Sequence, residues 1–224
     1  MRLDYRVKVL LFLLCAVAIL LAFNVSYAAL NTLSRLDVVE AQRDQWQRPT
    51  DVIQALGLSP GKIVADVGCG SGYFTLKLSS PVGPHGRVIA EDIRKLPLAF
   101  LWIRTVTRQE HNVHLLLGGE DDPRLPASGV NAVLISNTYH EFGNAPAILG
   151  HLSQSLVDGG TLVVVDREPK ASEDQSQAGD HEISAGRVET ELQQAKFEIV
   201  SRQDHFIESD PDHETWWLII ARKP

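Results

Sequence analysis

The segment Val64-Ala-Asp-Val-Gly-Cys-Gly-Ser-Gly-Tyr-Phe-Thr75 constrains this chain more than any other. An apolar strand runs into Gly68, Gly70 and Gly72 and then directly into a helix. Glycines at those positions let the backbone turn sharply and let a ligand approach it closely. The helix start adds N–H groups with no partner inside the helix. Asp92 closes the next apolar run, where a carboxylate can accept from both hydroxyls of an adenosine ribose. A dinucleotide-dehydrogenase turn would put a third glycine at position 73, which is Tyr73 here. Asp66 precedes the first glycine, and a carboxylate there suits a ligand with an ammonium and hydroxyls better than a pyrophosphate.

The rest of the chain alternates in the same way. Strands are predicted at Ile63–Val67, Arg87–Asp92, Val113–Leu117, Val130–Ser136, Thr161–Asp166, Phe197–Gln203 and Trp216–Ala221. Helical stretches fall at Asp51–Gly57, Tyr73–Ser80, Pro97–Arg108, Ala145–Val157 and Val188–Ala195. Strands this apolar, separated by helices, form a mostly parallel sheet covered on both faces. Only a loop separates the last two, so they can pair antiparallel as a hairpin. Trp216 and Trp217 alternate faces on the last strand. The fold class is therefore α/β and Rossmann-like.

These motifs resemble the class I S-adenosylmethionine-dependent methyltransferases, and within them the small ubiquinone/menaquinone-methyltransferase-like group of bacterial predicted methyltransferases. The resemblance covers roughly Trp46 to Pro224 and includes Trp46-Gln-Arg-Pro49, Val-Gly-Pro at 82–84 and Asn137-Thr-Tyr-His-Glu141. It implies a seven-stranded sheet with an antiparallel last strand, and S-adenosylmethionine as methyl donor. Asp66, Gly68, Gly70 and Gly72 would hold the methionine part and Asp92 the ribose, with Tyr73 and Asn137 in the same donor-binding set. An acid after the third strand would meet the adenine amino group. The spacing before Leu-Pro points to Asp121, with Glu120 and Asp122 left open.

Methyl transfer from a sulfonium is an in-line displacement that needs mainly alignment. A base helps only where the acceptor loses a proton. Tyr139, His140 and Glu141 follow the fourth strand at the carboxyl edge of the sheet, where open α/β folds bind ligands. His140 is the candidate base, with an ordinary pKa of about 6.5; the alternative is a histidine bonded to backbone at the strand end. Glu141 either orients His140 or lies in solvent. His181, beside Glu182, resembles a position facing the acceptor, and Ser184 is a natural helix N-cap. The alternative there is a solvated loop. No Cys/His cluster has zinc spacing, so no metal is assigned.

Composition narrows the partners. The chain is 44% hydrophobic and 22% charged, which excludes a disordered chain or a coiled-coil rod. Its formal net charge of −7 makes it a poor general binder of nucleic-acid backbone. Cys15 and Cys69 do not make a disulfide framework. The apolar run Val7–Phe23, preceded by Arg2 and Arg6, reads either as a secretory signal or as a membrane anchor. Basic residues ahead of the run favour a domain outside the membrane, whereas the donor is made in the cytosol. The division is thus residues 1–30 as signal or anchor, 31–48 as helical connector and 49–224 as methyltransferase domain. The expected acceptor is small or lipid-like. A non-catalytic donor-binding module and a NAD-dependent oxidoreductase are the alternatives. Oligomeric state is not encoded in any motif.

Overall fold

The computed structural model describes residues 4–169, 182–208 and 210–224. The segment Tyr5–Arg43 is one helix, α1, with exposed apolar side chains that include Leu11, Phe12, Ile19, Leu20 and Phe23. Among the described residues, no helix is long and apolar enough to cross a membrane. The compact unit Asp44–Pro224 is built from α2 (Pro49–Ala55), β1 (Ile63–Val67), α3 (Tyr73–Val82), β2 (Arg87–Asp92), α4 (Lys95–Arg108), β3 (Val113–Leu117), β4 (Val130–Ser136), α5 (Ala145–Ser155), β5 (Leu156–Arg167), α6 (Ala185–Gln194), β6 (Glu198–Ile207) and β7 (Trp216–Arg222). The last turn of Asn137–Phe142 is a short 3-10 helix, Tyr139–Glu141.

The strands form one sheet in the order β3-β2-β1-β4-β5-β7-β6. Pairings from β3 through β5 are parallel, and β7 runs antiparallel to both β5 and β6. That is the predicted Rossmann-like α/β architecture with an antiparallel last strand. The central strands are buried on both faces because alternate residues feed two cores. Ala65, Val133, Ile135, Leu162 and Val164 pack with Ile148, Leu152 and Leu192 of α5 and α6. Val64, Val88, Leu134, Val163 and Val165 pack with Val52, Phe74 and Leu78 of α2 and α3. Such double coverage is what makes these strands near-continuous apolar runs. Trp216 and Trp217 enter opposite cores, both buried. The Trp217 Nε1 donates to the Ile183 carbonyl at 2.8 Å, so each indole keeps a polar partner.

The boundaries that differ most from the sequence reading are those of β5 and β6. β5 begins at Leu156 rather than Thr161, and α5 stops at Ser155. Leu156 pairs with Val130 before an irregularity in the ladder, and Gly159, at φ 72°, lets the strand bend and continue. β6 continues past Gln203 to Ile207 because a register shift returns Phe206 and Ile207 to the core. The loop joining β6 to β7 turns on Asp210. Its Oδ1 accepts from the N–H groups of Asp212 and Glu214 at 2.9 Å, and its Oδ2 accepts from Trp216 Nε1 at 2.9 Å. Replacing a buried acceptor strands its donors at about 1–3 kcal/mol. Asp210→Ala is therefore expected to lower unfolding free energy by about that amount, read by urea denaturation.

Candidate functional site

The order of strands reverses between β1 and β4, so a crevice opens beyond their carboxyl ends. A cavity of about 340 Å³ occupies it. Its wall includes Gly68, Asp92, Glu120, Asp121, Thr138 and Glu141.

The glycine turn from β1 to α3 has positive φ at Gly68, Gly70 and Gly72, at 71°, 55° and 93°. A side chain at Gly68 would collide with Thr138, and one at Gly72 would collide with the Leu101 side chain. Gly70 faces open space instead. The turn is held from three directions. Gly70 N–H donates to Asp92 Oδ2 at 2.9 Å, Cys69 N–H donates to the Glu91 carbonyl at 2.8 Å, and the buried Arg104 guanidinium donates to the Ser71 carbonyl at 2.6 Å. Asp66 lies buried at the strand end and accepts from Thr75 Oγ1 at 2.6 Å. Tyr73 is packed into the α2/α3 core, and its hydroxyl donates to Asp44 at 2.8 Å.

Asp92 is only 2% exposed and also accepts from the Arg94 N–H at 2.8 Å. Its carboxylate thus ties the end of β2 to the glycine turn. Asp121 and Glu120 both line the cavity; the Asp122 carboxylate instead accepts from Arg124 N–H at 2.7 Å and faces His151. Asn137, at φ 54°, donates its N–H to the Val165 carbonyl, and its buried Oδ1 has no hydrogen-bond partner among the described residues.

The three residues after β4 separate. Tyr139 turns into the core, 1% exposed, and its hydroxyl donates to Glu191 at 2.8 Å. Burial first, and Glu191 next, push that phenol well above its ordinary value. It does not line the cavity. The His140 ring is 2% exposed with Nδ1 2.8 Å from Asp166 Oδ1, and its own N–H donates to Asp166 Oδ2. A carboxylate oxygen accepts, so in this pair the Nδ1–H is the donor and Asp166 sets the orientation of the ring. Its Nε2 stands 3.9 Å from Glu141 Oε1, and Glu141 is the residue of the three that reaches the cavity. His181 lies outside the described residues. Ser184 caps α6, accepting from Arg187 N–H.

Glu91 and Asp166 escaped the sequence reading. Each is an acid at or next to the carboxyl end of an apolar strand, the same signal that marked Asp66 and Asp92. Asp166 is fully buried. Glu91 is 3% exposed beneath the glycine turn, accepting weakly from Gly68 N–H at 3.4 Å. Burial, and then the carboxylates of Asp92, Asp66 and Asp122, raise its pKa from 4.5 to about 8 against the Gly68 hydrogen bond. Cys69, buried above it, is likewise pushed up, by burial and by Asp66.

A carboxyl group raised on folding stabilises the protein in full below its unfolded pKa. That stability is lost as pH rises through the folded value, because the unfolded chain gives up the proton first. Wild-type stability should therefore fall between about pH 4.5 and about 8 through Glu91. Glu91→Gln should flatten that fall and be the more stable of the two at the alkaline end. Melting temperatures of the two proteins across this range check it.

Residues 58–220 match the family described as a methyltransferase domain. Among curated proteins, nocamycin O-methyltransferase of Saccharothrix syringae is 28% identical over 113 residues, 50% of this chain and 40% of that protein. Demethylmenaquinone methyltransferase of Geobacillus stearothermophilus is 25% identical over 122 residues, 54% of this chain and 51% of that protein. The chain thus spans about half the length, or less, of these curated relatives. Among solved structures, a SAM-dependent methyltransferase from Aquifex aeolicus superposes with a TM-score of 0.72 at 22% identity, covering 86% of this chain and 98% of that one. The geranyl diphosphate C-methyltransferase from Streptomyces coelicolor A3(2) gives a TM-score of 0.67 at 16% identity, covering 80% of this chain and 79% of that one. The family match covers the glycine turn, Asp92 and the cavity wall alike, and this chain belongs to the methyltransferase-domain family.

Proposed function

We propose that the chain transfers the methyl group of S-adenosylmethionine to a small lipophilic acceptor bound in the cavity between β1 and β4. The observation that carries this reading is the Asp92 carboxylate, buried at the end of β2, gripping the Gly70 N–H of a positive-φ turn at the cavity wall. The residues fit the donor: Gly70 faces open space, and the buried Asn137 Oδ1 has an unused acceptor at the same edge. Asp66 and the glycine turn would hold the methionine part, Asp92 the ribose, and Asp121 or Glu120 the adenine. The donor supplies an electrophilic methyl group on a sulfonium. The protein supplies alignment, a water-poor wall, and a base for acceptors that release a proton.

Glu141 is placed to contact the acceptor, with His140 behind it. His140, its ring held by Asp166, would set the position of Glu141 for the proton that the acceptor releases. The acceptor class rests on the apolar side of the cavity, Val67, Ile93, Phe142 and Ile148, and agrees with relatives named for menaquinone-type and geranyl substrates. Association with a membrane through residues 7–23 belongs to the same proposal, supported by the exposed apolar side chains of α1. A chain that binds the donor without transferring its methyl group is the competing reading, separated by turnover alone.

Titration calorimetry with S-adenosylhomocysteine should show binding. Asp92→Ala should weaken it by about 1.5–3 kcal/mol, the range for hydrogen bonds to a charged group. Undiminished affinity in that variant removes Asp92 from the site. Acceptor identification follows from incubating the membrane fraction with labelled donor and isolating the methylated product. With that acceptor, Glu141→Gln and His140→Ala should each lower turnover by about 10²–10⁴-fold at near-normal donor affinity. Full activity in both variants means that the acceptor needs no protein base.

A further inference from the structure

The helix α4 is apolar on both sides. Its inner face places Leu98 and Leu101 against Cys69, Leu76 and Ala90. Its outer face is not polar in exchange: Leu96, Trp102 and Val106 are 68%, 59% and 58% exposed, and Ile93 just ahead of the helix is 53% exposed. Apolar side chains grouped on the exposed face of a surface helix mark a contact with something other than water. The charge of the segment is equally unusual for this protein. Between Ile93 and Arg108 the chain has Arg94, Lys95, Arg104 and Arg108 and no Asp or Glu, although acids outnumber bases by 28 to 21 overall. Arg104 is buried on the glycine turn; Arg94, Lys95 and Arg108 are exposed at the two ends of the helix.

From this pattern we infer that the outer face of α4 is a docking surface for an anionic lipid bilayer, lying flat in the headgroup region. Exposed Leu, Trp and Val with cations at either end, and no carboxylate, is the composition of an interfacial helix. Lipid is favoured over a second copy of the chain because a protein of net charge −7 presents a mostly acidic surface, and the cations of α4 mark an anionic plane as their complement. The surface is continuous with the cavity: Ile93 and Arg94, at the N-terminal end of α4, form part of its wall. Docking would therefore open the cavity at the depth where a lipophilic acceptor resides. This consequence rests on the methyl-transfer reading of the cavity, whereas the docking itself does not.

The distribution of tryptophan makes the surface measurable in the full-length chain. Trp216 and Trp217 are buried, Trp46 is half-buried against Trp216, and α1 contains none. Trp102 alone of the four is exposed. Phosphatidylglycerol vesicles with brominated acyl chains should quench the emission of the wild-type protein, and Trp102→Phe should lose that quenching. Lys95→Gln and Arg108→Gln should each raise the lipid concentration for half-quenching about fivefold on anionic vesicles. Leu96→Glu and Val106→Glu, which keep Trp102, should abolish quenching as well. Equal quenching in wild type and Trp102→Phe overturns the proposal. So does a Trp102 emission that ignores lipid and shifts with protein concentration, which would mark the face as a contact between copies. S-adenosylhomocysteine affinity measured without vesicles in the same preparations reports on the donor site separately. Lost quenching with intact donor binding refutes the surface and leaves the functional reading standing, and the converse refutes the functional reading alone.

Discussion

A parallel sheet covered on both faces leaves its polar chemistry one exit. The inner side chains of β1, β2, β4 and β5 are spent on apolar cores, so a buried charged group survives in these strands only at their carboxyl ends. Asp66, Glu91, Asp92 and Asp166 all stand there, each 3% exposed or less. Burial at that depth is unfavourable for a carboxylate unless donors surround it. The glycine turn supplies one donor to Asp92 and another, weaker, to Glu91. The constraint that builds the core therefore also builds the site.

Crowding several acids into one edge sorts them by their partners. Asp92 collects three hydrogen bonds from Gly70 and Arg94. Glu91, next to it in sequence but on the other side of the strand, has one long contact and sits between like charges, so its proton is retained to about pH 8. Across the crevice, Asp166 directs the His140 ring and leaves Glu141 as the carboxylate at the cavity wall. Two neighbouring acids, or a histidine and its neighbour, thus take different electrostatic roles through their burial and donors alone.

Packing also decides which apolar residues are spare. The sheet needs one side of α4, and Leu98 and Leu101 satisfy it. Leu96, Trp102 and Val106 contribute nothing to that core and stay in solvent. Solvation alone would favour polar residues at these positions, so their apolar character is information about the surroundings of the protein rather than about its fold.

The alternation of apolar strands with helices was sufficient to foresee seven strands and the antiparallel β7, because double burial writes itself into the sequence as unbroken Val, Ile and Leu runs. Gly68, Gly70, Gly72 and Asp92 were legible for the same reason: a positive-φ turn and a strand-end acid each demand a particular residue type at a particular place. The 3-10 turn after β4 was not legible. Tyr139, His140 and Glu141 are consecutive, and their directions depend on long-range partners: Glu191 on α6 for the phenol, Asp166 on β5 for the imidazole, and the open crevice for the carboxylate. The raised pKa of Glu91 was equally hidden, since it arises from burial and from three acids brought near only by folding. Sequence by itself determined the sheet, the turn and the acid that closes β2 through local backbone and burial rules. Tertiary structure decided which polar groups face the cavity, because hydrogen bonds between distant strands and helices aim them.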